Sequence, residues 1–286
     1  MKLMVTGSAG MTGSELVAQS RARGWDVLAF DHASLDIADP TALDDVVSRS
    51  APDVIVNAAA YTAVDAAESD VEQAMEVNSR AAGNLARAAQ TAGAAMIHIS
   101  TDYVFDGAKT TPYLPGDETN PRSVYGESKL AGEIEVREAC RRHAIVRTSW
   151  VYSHTGKNFV RTMLSAAKSG KHLRVVDDQH GSPTSARDLA AALLEVAPAL
   201  VSKRELAGTY HFCNSGTTTW FGFAKAIFEI AGVHASVAPC STADYPTAAR
   251  RPQWSVLDST SFTGTFGVTP RPWRDALAET ISEIHD

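Results

Sequence analysis

In the stretch SVYGESKLAGE, Ser123 to Glu133, a tyrosine stands four residues ahead of a lysine. On a helix, Tyr125 and Lys129 would share a face, and the phenol and the ammonium could point into one space. A cation beside a phenol favours the phenolate and brings its pKa down from about 10, toward the working range of a general acid or base. Such a pair suits proton transfer. It also suits the solvent face of an ordinary amphipathic helix, and the pair alone does not separate the two.

A second cluster follows the apolar run KLMVT directly: GSAGMTG, with Gly7, Gly10, Met11, Thr12 and Gly13. Glycines there let the chain turn sharply and let backbone N–H groups approach a pyrophosphate at a helix N-terminus. The spacing is GxxGxxG, so the plain GxGxxG fingerprint is not matched, and a tight structural turn is the competing reading. Context favours a dinucleotide: a strand before, a helix after, and Asp31 beyond the next strand, where a carboxylate can accept the adenosine ribose hydroxyls. Its charge disfavours a 2′-phosphate, so NADH is expected to be usable. Asp36 and Ile37, in LDI, are expected close to the adenine.

These groups need a frame. Short apolar runs at 2–6, 26–30, 53–57, 95–100 and 144–149 alternate with alanine-rich helical patterns at 12–23, 40–50, 67–91 and 126–142. Alternation of this kind predicts a parallel sheet with helices on both faces, and runs without polar alternation predict strands buried on both sides. The fold class is α/β: a Rossmann-type doubly wound sheet with a smaller C-terminal substrate-binding lobe. The expected division is 1–150 for the dinucleotide-binding domain, with later segments such as 185–212 returning to it, and 151–286 mainly for the lobe. In the second half the patterns predict helices at 157–169, 185–197, 219–231 and 273–284 and strands at 172–176 and 207–212. The segment 239–272, rich in Pro, Ser, Thr and Arg, reads as loop.

Composition narrows the partners. The 286 residues carry a net charge of −7, from 26 basic and 33 acidic side chains, with no block of basic residues. Nucleic-acid binding is not expected, because phosphate neutralisation needs clustered Lys and Arg. Cys140, Cys213 and Cys240 show no CxxC spacing, which points to reduced thiols and no zinc site. The nine histidines show no metal-ligand spacing and read as structural or surface residues. The N-terminus leaves no room for a signal peptide and no apolar run reaches membrane-spanning length, so a soluble cytoplasmic protein is expected.

With the glycine loop, NAAAYTAVDAAE (57–68), VN (77–78), STDYVFDG (100–107), YGESKLAGE, RTSWVY (147–152), DDQHGSPT (177–184) and RRPQWSVLD (250–258) in order, the chain resembles the extended short-chain dehydrogenase/reductases, and within them the dTDP-4-dehydrorhamnose reductase family. The resemblance spans nearly the whole chain and decides between the two readings of the Tyr–Lys pair. It implies reduction of the 4-keto group of dTDP-4-dehydro-L-rhamnose by NADPH or NADH, for polysaccharide biosynthesis. The catalytic residues are then Tyr125 as proton donor, Lys129, which lowers its pKa and holds the nicotinamide ribose, and Thr101, which hydrogen-bonds the substrate oxygen. Ala60, Tyr61 and Thr62, after the third strand, are expected to border the cofactor. Asp102 reads either as a contact to sugar hydroxyls or as a turn or cap residue, and Trp150 either as a wall for the sugar or base or as core packing.

STDYVFDG also separates reactions. The related 4,6-dehydratases carry a glutamate as the third residue of Thr-Asp-Glu; here it is Tyr103, so elimination lacks its acid/base. Two alternatives remain: a reductase or epimerase of another nucleotide 4-ketosugar, and a non-catalytic regulatory relative, against which the joint presence of Thr101, Tyr125 and Lys129 argues. The chain departs from the family pattern at Trp254 and at Arg187. The latter stands where some members place a glutamate that holds magnesium at a dimer interface, so no metal is expected, and a homodimer, if formed, is not expected to depend on one.

Overall fold

Six parallel strands form one sheet: β1 (Lys2–Thr6), β2 (Asp26–Phe30), β3 (Val54–Asn57), β4 (Ala95–Thr101), β5 (His143–Thr148) and β6 (Gly208–His211). Their order across the sheet is β6–β5–β4–β3–β1–β2. The structure, a computed structural model, describes residues 1–170 and 172–284. Every residue of β3 and β5 is buried, as strands covered on both faces require. Along β1 the side chains alternate between two cores. Leu3 and Val5 join Leu16 and a set from Leu189 to Leu200 on one face, while Met4 joins Leu43, Val47, Leu85 and Val136 on the other.

The covering helices are α1 (Met11–Ala22), α2 (Pro40–Ser50), α3 (Ala81–Ala92), α4 (Val124–Ala139) and α6 (Ala186–Ser202); α5 (Phe159–Lys168), α7 (Trp220–Ala231) and α8 (Trp273–Ser282) build the second lobe. The lobe has its own core, with Val160, Phe223, Ile227 and Leu277 at its centre. A parallel strand pair, Leu173–Val176 with Val237–Cys240, lies beside it.

Two elements differ from the sequence patterns. The helix expected over 67–91 is broken: short turns at Val64–Ala67 and Val71–Met75 lead through a wide π-type turn at Glu76–Arg80 into α3. That turn presents the Asn78 carbonyl to α4, where a methyl group on Gly132 would stand 2.0 Å from it. The loop expected at 239–272 contains a helix, Thr260–Phe266. Its threonines and glycine are weak helix formers, and burial of Phe262 in the main core overrides propensity.

Chain winding reverses at β1, which pairs with β2 on one side and β3 on the other. In open α/β sheets the crevice at such a point, beyond the carboxyl ends of the strands, receives ligands. Among the described residues, no helix is long and apolar enough to cross a membrane.

Candidate active site

The glycine loop closes the crevice from one side. Gly7 has φ +70°, and a methyl group there would lie 2.6 Å from the Ala58 and Ala59 backbone. One on Gly13 would meet the Gly7 carbonyl oxygen at 2.0 Å. The loop is therefore packed against both β3 and its own helix in a way only glycine permits. Gly10 is the N-cap of α1 and supplies no side-chain cap, so the first N–H groups of the helix face the crevice without a side-chain acceptor. Free N–H groups and the positive helix end suit a phosphate.

Opposite the loop, Ser123 caps α4, its hydroxyl accepting from the Gly126 N–H at 3.2 Å. A methyl group on Gly126 would lie 2.3 Å from the Tyr103 carbonyl oxygen, so α4 can approach the end of β4 only with glycine there. The helix is anchored below by a buried pair: Arg147 of β5 donates to both Glu133 oxygens at 2.8 and 2.7 Å, and Ser100 of β4 donates to Oε1 at 2.6 Å. These constraints carry Tyr125 and Lys129 to the carboxyl end of β4, where Thr101 ends the strand.

Gly10, Met11, Thr12, Gly13, Ala60, Thr62, Thr101, Asp102, Tyr125, Lys129 and Trp150 line one cavity of about 460 Å³. Burial pushes the Tyr125 phenol up to about 12, a Thr101 hydrogen bond opposing and Asp102 adding to the rise. The expected depression by Lys129 is therefore absent from the free chain. The lysine nitrogen is instead held on β4, 2.7 Å from the Ile99 carbonyl oxygen and 3.2 Å from His98 Nε2. Burial brings its pKa down to about 8, against the field of Glu133.

Asp102 is 2% exposed. One of its oxygens accepts from Thr101 Oγ1 at 2.9 Å and the other has no well-formed partner. Burial raises its carboxyl to about 6, against the pull of Ser255 and Thr101. Thr148 Oγ1, also buried in this wall, lacks a partner as well. Unpartnered buried polar atoms beside an uncapped helix fit a polar ligand. Tyr103 packs edge-on against Tyr125 with ring centroids 5.4 Å apart, and burial raises its phenol too.

Other expected residues lie elsewhere. Asp31 sits at the end of β2, its carboxylate accepting from Ser34 N–H at 2.9 Å and Ser34 Oγ at 2.7 Å, which lowers its pKa. Asp36 is exposed and accepts from the Ala38 N–H at 2.9 Å. The Ile37 side chain is buried in the core with Leu35 and Leu43, not presented to the crevice. Tyr61 turns its hydroxyl to Asp70, while Asn78 grips its backbone N–H and carbonyl. Trp150 lines the cavity and stacks on Trp220 of the lobe, centroids 3.7 Å apart. It adopts φ +50°, which is rare for a residue with a bulky side chain.

A second cavity of about 360 Å³ adjoins the first through Trp220, and is lined by Phe159, Arg174, Gln179, Tyr245 and Arg251 among others. Arg251 bridges to Asp65, in the loop after β3, at 2.7 Å. Sequence reading gave these residues no role, although Gln179 and Arg251 lie in the quoted DDQHGSPT and RRPQWSVLD stretches; it gave none to Glu133 or Arg147 and took His98 only as a structural or surface histidine. Trp254, a noted departure, donates from Nε1 to the Thr111 carbonyl at 2.9 Å.

The family model described as RmlD substrate binding domain matches residues 1–285. A dTDP-4-dehydrorhamnose reductase of Sinorhizobium fredii is 44% identical, the match covering 98% of this chain and 97% of that protein. The crystal structure of a dTDP-4-dehydrorhamnose reductase from Clostridium acetobutylicum aligns over 99% of both chains with TM-score 0.94 and 39% identity. That of the Bacillus anthracis dTDP-4-dehydrorhamnose reductase, in complex with NADP, aligns over 99% of both chains with TM-score 0.94 and 37% identity. The chain belongs to the dTDP-4-dehydrorhamnose reductase family.

Proposed function

We infer that this protein is an NAD(P)H-dependent oxidoreductase that reduces the 4-keto group of dTDP-4-dehydro-L-rhamnose to give dTDP-L-rhamnose, a precursor of rhamnose-containing polysaccharide. The observation that carries the reading is the convergence of Thr101, Tyr125 and Lys129 with the uncapped start of α1 on one cavity. When bound, the dinucleotide supplies the hydride. The chain has to hold the carbonyl, provide the proton and accommodate the negative charge that grows on oxygen. A Tyr125 phenol at about 12 is protonated at neutral pH, which is the state a reduction needs at its start. As the C4–H bond forms, the carbonyl oxygen takes the Tyr125 proton, and Thr101 Oγ1 steadies both the developing alkoxide and the phenolate left behind.

Residues 1–150 with 185–212 hold the cofactor in this reading, its pyrophosphate on the Met11–Gly13 N–H groups and its ribose near Asp31. The carboxylate at Asp31 favours NADH being accepted beside NADPH. The second cavity takes the nucleotide: Arg174 and Arg251 face an anionic diphosphate, and Phe159 and Trp220 offer flat walls for a base.

The test is turnover of dTDP-4-dehydro-L-rhamnose followed by nicotinamide oxidation, with a uridine-linked 4-ketosugar as comparator. Turnover of the comparator alone would replace the substrate assignment. Tyr125→Phe should lower kcat by about 10²–10⁴-fold, the usual worth of general acid catalysis, with cofactor affinity retained. A variant keeping most of its turnover would remove Tyr125 from the role of proton donor.

A further inference from the structure

Lys129 meets the sheet through a chain of buried polar groups. Thr6, Asn57 and His98 are each 1% exposed and Lys129 is 2% exposed, and strand register sets Thr6 beside Asn57 and Asn57 beside His98. The donors and acceptors along this chain follow from one fixed point. The Ala59 backbone N–H can only donate, and it lies 3.1 Å from Asn57 Oδ1, so that atom has to be the carbonyl oxygen rather than the amide nitrogen. Thr6 Oγ1 donates to the same oxygen at 2.8 Å. Asn57 Nδ2 then faces His98 Nδ1 at 3.1 Å, and Nδ1 has to accept.

A neutral imidazole has one donor and one acceptor, and an imidazolium has no acceptor. The His98 ring proton therefore sits on Nε2. Burial alone is enough to hold this histidine well below its ordinary pKa, in agreement with a neutral ring. The Nε2–H is directed at Lys129 Nζ, 3.2 Å away. An ammonium has three donors and no lone pair, so it cannot accept this hydrogen; an amine can.

We propose that at alkaline pH Asn57 and His98 hold Lys129 as a neutral amine in the free protein, its lone pair accepting from His98 Nε2–H while one of its own hydrogens is donated to the Ile99 carbonyl. His98 is thus a positioning residue that sets both the place and the charge of the lysine through its tautomer. Protonating Lys129 in place requires the imidazole to reverse its tautomer, which turns Nδ1–H against the Asn57 amide and forces that amide out of its bonds to Ala59 and Thr6. The alternative is for the lysine to swing away from β4. Charge and position of Lys129 are therefore coupled.

The other groups around Lys129 do not undo this. Glu133, four residues along α4, favours the ammonium, but its carboxylate is already taken by Arg147 from β5 and Ser100 from β4. Tyr125, four residues earlier on α4, is an uncharged phenol at neutral pH. Burial prevails over the Glu133 field, and the amine form gains.

The proposal concerns the free chain and is tested without cofactor or substrate, so its failure leaves the assigned reaction untouched. Ring-nitrogen NMR of the ¹⁵N-histidine-labelled full chain, with His98 assigned by loss of its signals in His98→Gln, should show the Nε2–H tautomer at about pH 9, above the Lys129 midpoint and above the range in which an ordinary histidine titrates. An Nδ1–H tautomer or an imidazolium would overturn it. With lysine labelled at Cε and Lys129 assigned from Lys129→Arg, its titration midpoint should lie at least about one pKa unit, tenfold in proton affinity, below those of exposed lysines. A Lys129 titrating with the surface lysines would also overturn it. Asn57→Asp sets an acceptor opposite Nδ1, so the tautomer should reverse and the Lys129 midpoint should rise; an unchanged tautomer in a folded variant counts against the proposal. If that variant does not fold, the two wild-type measurements decide.

Discussion

The carboxyl of Asp102 has one oxygen in a hydrogen bond with Thr101, while the other has no well-formed partner, Ser255 lying nearest in effect. The cap of the short turn that follows is Thr101, which accepts from the Tyr103 N–H at 3.2 Å, with the Asp102 carboxyl beside it. A buried carboxylate with spare acceptor capacity disfavours folding and suits a hydroxyl-bearing ligand. In the unfolded chain this group titrates near its ordinary 3.8, and in the folded chain near 6. The folded state thus binds the proton more tightly, so stability from this group is greatest at low pH and falls as pH rises through that window. Asp102→Asn should therefore be more stable than the parent by on the order of 1–3 kcal/mol at pH 7, and about equal near pH 4, while losing activity. Urea denaturation at the two pH values checks this, and a variant less stable at pH 7 would contradict it. At this scale the sequence could name Thr101, Tyr125 and Lys129 because short motifs carry them. It could not place the charge of Lys129, since His98 and Asn57 reach it only through strand pairing.

The position of α4 depends on an ion pair at the foot of the site. Glu133 is fully buried and Arg147 is 3% exposed, and the guanidinium also lies over the Phe105 ring at 5.0 Å. Removing one partner leaves the other charge buried alone, which typically costs about 3–5 kcal/mol. Glu133→Ala should lose that much stability by chemical denaturation, and replacing Glu133 and Arg147 together by methionines should recover most of it. A loss within 1 kcal/mol of zero for the single change would show that water reaches the arginine. The strands and most helices were legible because uninterrupted apolar runs and alanine-rich stretches have few other ways to fold. The break at Glu76–Arg80 was not, because it answers to the close approach of Gly132 on another helix. Thr260–Phe266 was not either, because one buried phenylalanine outweighs a poor local sequence.

Across the whole molecule, polar and ionisable groups tie the sheet domain to the C-terminal helix. Arg187 at the start of α6 donates to Glu279 of α8 and to Glu283 just beyond it. His154 lies 3.7 Å from Glu15 and 3.5 Å from Glu283, and Arg271 donates to Asp188 at 2.7 Å. Asp286, the next acidic residue after Glu283, lies outside the described residues. A guanidinium offers donors only and occupies the carboxylates a magnesium ion would need. Activity should be unaffected by EDTA, and sedimentation should show the same association state with and without magnesium. Dimerisation that appears only with the metal would overturn this.

The sheet is also finished late. Leu189, Leu193, Val196 and Leu200 of α6 complete the core on one face of the sheet, and β6 pairs along β5 from Gly208↔Ala144 to His211↔Arg147. During synthesis from the N-terminus, β5 leaves the ribosome well before either. Until then its outer edge is an unpaired strand flanked by bare apolar surface, which is the arrangement most prone to join another chain. A truncated chain ending at residue 150 should bind a hydrophobic dye and aggregate, whereas one extended through residue 212 should do so far less. Equal solubility of the two would show that the first half folds alone. For the nascent chain, the interval between β5 and β6 is then the time during which a holdase chaperone matters most.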